Sequence, residues 1–146
     1  MTRGGFGIPY RVYTRSGAPL ADDISKAVVS SLNDSGYLAT EIKGFPVSDA
    51  QVAKARLLGS SSERHILITI NKWESDTIVN TDLTTELNVQ VFDKSGKLLA
   101  ADSYSASKNI GGNFLDPISA ARQNIIAEST KILSQIFSSA KISNSL

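Results

Sequence analysis

The chain has 146 residues, 41% of them hydrophobic and 20% charged, with a formal net charge of +1 and no cysteine. These values bound one globular domain with a single core. They exclude a disulfide framework, a zinc–thiolate site and a cysteine nucleophile, and they give no basic footprint for nucleic acid. No apolar run approaches the roughly 20 residues of a membrane span.

In chain order, Met1 to Gly7 reads as a flexible tether, without the apolar core of a signal peptide. Ile8, Tyr10 and Val12 then alternate with Pro9, Arg11 and Tyr13, which predicts a first strand, and Pro9 places it at an edge or a strand start. Leu20, Ile24, Ala27, Val28 and Leu32 recur at helical spacing. The helix they predict carries Asp22 and Asp23 in its first turns and Gly36 as its C′ residue. Tyr37 to Ile42 is expected to be a second strand, giving a β-α-β start with a right-handed crossover. Ser48 or Asp49 can cap a short helix that ends at Gly59.

From Arg64 the period becomes two. Ile66, Ile68 and Ile70 share one face of a strand, Leu83 to Val91 form a half-buried strand, and Asp93-Lys94-Ser95-Gly96 turns the chain into a third that runs to Ala106. Asp116-Pro117 starts a long helix to about Ser139, with Ile118, Ala121, Ile125, Ser129, Ile132, Leu133 and Ile136 as its buried stripe. Residues 140–146 read as a flexible tail. The expected fold is α+β, β-α-β-(α)-β-β-β-α. About five strands form a mixed sheet containing an antiparallel three-strand meander, with two main helices on one face.

Few residues are left for chemistry. His65 is the sole histidine and opens an apolar strand, so it reads as a strand-end residue, and no serine lies in Gly-x-Ser-x-Gly. Gly4-Gly5-Phe6-Gly7 and Gly111-Gly112-Asn113 match no phosphate-binding fingerprint. Glu74, Asp76, Asp82 and Glu86 make an acidic region whose spacing fits no calcium loop. Asn33-Asp34-Ser35 has the form of a glycosylation sequon but is explained by a helix-end turn. Trp73, the single tryptophan, caps the core or anchors a partner. No catalytic residue, metal ligand or cofactor site is assigned. The expected partner-binding surface is Trp73, Asp76, Asn109, Gly111, Gly112 and Phe114.

Several segments carry a resemblance: the run Ile66 to Trp73, the strand Thr81 to Phe92, Asp93-x-x-Gly96 with Leu98-Leu99, Asn109-Ile110-Gly111-Gly112, Gly36-Tyr37 and the terminal helix. In these the chain resembles the small bacterial envelope lipoproteins of YajG type and, more distantly, periplasmic domains of the TolB N-terminal class. The resemblance implies a non-enzymatic domain of the periplasm, anchored at the outer membrane if its precursor carries a lipobox, that binds a protein or an envelope component. It transfers no catalytic residues. Two alternatives stand beside it: a small hydrolase or ligand-binding enzyme using Asp76 or Asp82 with Ser75 or His65, and a ring-forming structural subunit. A cytoplasmic location is the alternative to the envelope.

Overall fold

The computed structural model describes residues 2–3, 9–10, 16–42 and 49–146. Its elements are β1 (Thr2–Arg3), β2 (Pro9–Tyr10), α1 (Leu20–Asp34), α2 (Ala50–Leu58), β3 (Arg64–Thr77), β4 (Asn80–Asp93), β5 (Leu98–Gly112), α3 (Pro117–Phe137) and α4 (Ala140–Ser143). The five strands lie in the order β2-β1-β3-β4-β5. β1 runs parallel to β3, and every other pairing is antiparallel. The mixed sheet and its three-strand meander are therefore as the sequence predicts.

Alternation along β4 decides where the core forms. Leu83, Leu87, Val89 and Val91 are buried, while Asp82 and Glu86 on the alternate positions are exposed. The buried face receives α3 and α4, so that Leu87, Val89, Val91, Ile132, Ile136 and Ile142 make one cluster, flanked by Ile66, Ile68, Ile70, Trp73 and Tyr104. Each large side chain in it contributes roughly 1.5–3 kcal/mol by leaving water.

A register shift between Ile70 and Lys72 puts one extra residue, Asn71, into β3. Ile70 stands opposite Leu87 and Trp73 opposite Thr85, so both fall on the helix-covered face. Without the bulge, an odd spacing would send Trp73 to the other side. Trp73 is thus half-buried against the core.

Several expectations require correction. Tyr37 to Ile42 is not a strand. The Asn33 side chain accepts from the Ala39 N–H at 2.7 Å and donates to the Ala39 carbonyl at 3.2 Å, which satisfies both main-chain groups that a ladder would have used. The β-α-β start is therefore not formed. Of the first expected strand, Pro9 and Tyr10 form β2, and the rest lies outside the described residues, as does Gly4 to Gly7. Thr2 and Arg3, assigned to a tether, pair with Ser75 and Asp76.

The supposed tail at 140–146 is also structured. It contains α4, buries Ile142, packs Leu146 on the core, and accepts a hydrogen bond from Arg64 Nε at the Ser145 carbonyl, 3.1 Å away. On α3, Ile118, expected in the buried stripe, is exposed, and Glu128, outside that stripe, is buried. The two main helices do not share a face evenly. α3 lies on the core, whereas the buried Ile24 and Val28 of α1 belong to a trough beside β3. Asp49 caps α2 by accepting from the Gln51 and Val52 amides. Among the described residues no helix is long and apolar enough to cross a membrane.

Two outcomes follow from this packing. Ile132→Asp places a charge where the side chain is 2% exposed, and loss of a cooperative thermal transition is expected, since a domain of ordinary stability has only about 5–15 kcal/mol in reserve. Thr85→Val has the opposite sign. The Thr85 hydroxyl is buried with no hydrogen-bond partner among the described residues, so removing it while keeping the shape is expected to raise stability by about 1 kcal/mol in chemical denaturation.

Candidate protein-interaction surface

At one end of the sheet the β3–β4 turn meets the loop that joins β5 to α3. The contact is backbone on backbone: a Cβ added at Gly112 would lie 1.9 Å from the Val79 carbonyl oxygen and 2.7 Å from Asn80 Cα. Only glycine fits there. The loop beyond it is held by its own polar groups. Asn109 Nδ2 donates to Asp82 Oδ1 at 2.8 Å and Asn109 Oδ1 accepts from the Gly111 amide at 3.0 Å. Gly111 takes φ +83°, a left-handed conformation that side-chain-bearing residues rarely adopt. Asn113 Oδ1 accepts from the Leu115 amide at 2.9 Å, and Asp116 Oδ1 caps α3 by accepting from Ser119 at 3.0 Å.

This framework displays apolar side chains to water. Phe114 is 79% exposed, Leu115 89%, Ile118 59%, and Ile78 in the facing turn 72%. The first buried residue of α3 is Ala121, so its opening turn overhangs the end of the sheet and carries Ile118 outward. A set of large apolar residues on adjacent loops is the usual mark of an interaction site.

Of the expected surface residues, Gly111, Gly112 and Phe114 come together at this tip. Asp76 and Asn109 lie in register with Asp82 between them, one row across the polar face of the sheet. Trp73 lies on the opposite, core-facing side. Leu115, Ile118 and Ile78 were missed by the sequence reading. Ile118 fits the helical stripe of α3, and only the place where the helix crosses the sheet end exposes it.

The residues proposed for an enzyme are not brought together. His65 and Asp76 stand eleven places apart in β3, roughly 35 Å in an extended strand. Ser75 is buried on the face opposite to Asp76. His65 is itself buried, with Ser60 Oγ 3.4 Å from its Nδ1. Among the described residues no group of three or more His, Asp or Glu is placed to hold a metal ion.

Below the tip, Lys108, Asn109, Asn124, Glu128 and Lys131 line a cleft of about 330 Å³ between β5 and α3. Lys108 Nζ donates to Glu128 Oε1 at 2.6 Å, and Lys131 Nζ lies 3.6 Å from Glu128 Oε2. The hydrogen bond from Lys108 holds the Glu128 carboxyl below its ordinary range, against the opposing effect of burial.

No family model matches the chain, and no curated protein matches it significantly. Among solved structures it is similar to a Xanthomonas campestris protein of the DUF330 family, at 18% sequence identity and a TM-score of 0.48. That alignment covers 79% of this chain and 59% of the other, so the chain spans less than two thirds of that protein's length. The YajG-type and TolB-like resemblance gains no support from these comparisons and stays a likeness of sequence pattern.

Two measurements check this geometry. Gly112→Ala forces the turn and the loop apart and is expected to lower stability by about 1–3 kcal/mol. For Glu128 the folded-state pKa is depressed, so its contribution is present above the ordinary carboxyl value near 4.5 and is lost as pH falls through the lower folded value. The melting temperature of the native chain should therefore fall more steeply on acidification than that of Glu128→Gln. Equal slopes would show that the carboxylate contributes nothing.

Proposed function

We propose that the chain is a non-enzymatic domain of the bacterial envelope that binds another protein or an envelope component through the tip formed by Ile78, Phe114, Leu115 and Ile118. The observation that carries this reading is the exposure of these four side chains on a loop whose backbone is fixed by Asn109, Asn113 and Asp116. A pre-ordered loop loses little conformational entropy on binding. Exposed aromatic and aliphatic residues that gain nothing for the isolated fold gain roughly 1–2 kcal/mol each when a partner covers them. The envelope part of the reading is supported by the sequence resemblance to YajG-type lipoproteins.

The test combines fractionation of the native gene product with site-directed crosslinking from position 114 in intact cells. An adduct from the envelope fraction is expected, and Phe114→Ser with Leu115→Ser should weaken the purified interaction roughly 30-fold or more. The thermal melt should stay within about 0.5 kcal/mol of the native chain, because neither side chain supports the core. Cytosolic fractionation, or an adduct pattern indifferent to these two substitutions, would overturn the proposal.

A further inference from the structure

The sheet ends at β5. Among the described residues β5 pairs with β4 alone and no strand lies along its outer side, so Leu98–Gly112 carries a row of unpaired main-chain N–H and C=O groups. Its pairing with β4 is regular from Ala100 to Asn109, and both register shifts fall outside that stretch. A free edge is usually blunted by a proline or a bulge, and this stretch has neither.

The edge is complementary to itself. Alternate residues of an edge strand turn their main-chain groups outward, so when the strand pairs antiparallel with its own copy, opposite residues are both odd-numbered or both even-numbered. Two registers of this kind centre the regular stretch, one on Tyr104 and one on Ser105. Centred on Tyr104, Asp102 faces Ala106 and Lys108 faces Ala100. Centred on Ser105, Asp102 faces Lys108 twice, Ser103 faces Ser107 twice, and Ser105 meets itself on the axis. Both charges lie on the α3-covered side of the sheet, because Asp102 stands opposite the buried Val89 and Lys108 opposite the buried Leu83.

The structure also leaves room for that contact. The cleft lined by Lys108, Asn124, Glu128 and Lys131 has walls from β5 and α3 and none from β4, so it opens at the outer edge. Two lysines share the one Glu128 carboxylate there, and the Lys108 side chain stays 54% exposed while bonded to it. The mouth of the cleft is therefore positive. A carboxylate directly across the strand pair, with its Cβ about 5 Å from that of Lys108, supplies the opposite charge.

We propose that β5 pairs antiparallel with β5 of a second copy of this chain, about a two-fold axis at Ser105, so that Asp102 of each copy meets Lys108 of the other. Roughly 8–10 main-chain hydrogen bonds would join the two sheets across residues 101–109. An isologous contact of this kind uses both edges at once and closes as a dimer. It does not depend on the apolar tip as a binding site.

The test uses the full chain, which has no cysteine of its own. Sedimentation at roughly 100 μM should give a dimer. Asp102→Lys and Lys108→Glu, each of which sets like charges opposite one another, should each weaken dimerisation about tenfold or more, and mixing the two variants should restore it, since every pair is then of opposite charge. Restoration on mixing separates lost pairing from lost folding. Ser105→Cys, at an exposed position, should form an intermolecular disulfide under mild oxidation. Ser103→Cys should not, because the two copies of that position lie roughly 14 Å apart along the strands. Phe114→Ser should leave the dimer intact.

A monomer at that concentration, equal crosslinking at positions 103 and 105, or a mixture no tighter than its components would overturn the proposal. Loss of the dimer in Phe114→Ser would overturn it as well, by moving the contact to the tip.

Discussion

The seating of Ile132, Ile136 and Ile142 on Leu87, Val89 and Val91 is the contact on which the other features depend. A close-packed apolar interface admits one rotation and one axial position of the helix, since a shift of either opens voids. With α3 held there, Glu128 falls opposite Lys108 on the neighbouring strand. The same placement decides that Ile118, about four turns before Ile132, the first deeply buried isoleucine of the helix, stands beyond the sheet end. The ion pair of the buried Glu128 with the exposed Lys108 and the exposed apolar tip are thus two results of one packing register.

The sheet is covered unevenly, and the candidate binding region follows from that. Its α3-covered face is apolar along β4 apart from the buried hydroxyls of Thr81 and Thr85. The other face carries the water-facing Thr84, Glu86, Ser103, Ser105 and Ser107, as an antiparallel sheet allows, and is covered only at its far end, where His65 and Phe92 are buried and Lys54 of α2 lies over the Phe92 ring. What remains unprotected lies at the margins. The clearest of them is the tip where the β3–β4 turn meets the loop that joins β5 to α3. Polar groups that looked available in the sequence turn out to be engaged in holding these margins: Asn109 ties the loop to Asp82, and Asp116 closes the end of α3.

Much of the fold was readable because its signals are local. Period-two alternation in β4, the Asp93 to Gly96 turn and the Asp49 and Asp116 caps each depend on a few neighbouring residues, and each formed as read; the 3.6-residue stripe of α3 formed from Ala121 onward, with Glu128 added to it and Ile118 left out. The failures involve choices between competing partners. Tyr37 to Ile42 has adequate strand character, but the Asn33 amide, six residues before Ala39, takes the hydrogen bonds first. Residues 140–146 look like a polar tail, yet Ile142 and Leu146 complete the core because the end of α3 delivers them to it.

The sequence by itself determined the α+β class, the three-strand meander, the limits of α1, α2 and α3, and the Gly111-Gly112 loop with Phe114 beside it. These are set by side-chain period, capping chemistry and backbone freedom, which act over a few residues. Tertiary structure decided which side of the sheet each polar or aromatic residue serves. One inserted residue, Asn71, carries Trp73 onto the core face, and the position of α3 along β5 turns Ile118 from a core residue into part of a surface. Register and helix placement are properties of the packed whole, where a shift of a single residue reverses inside and outside.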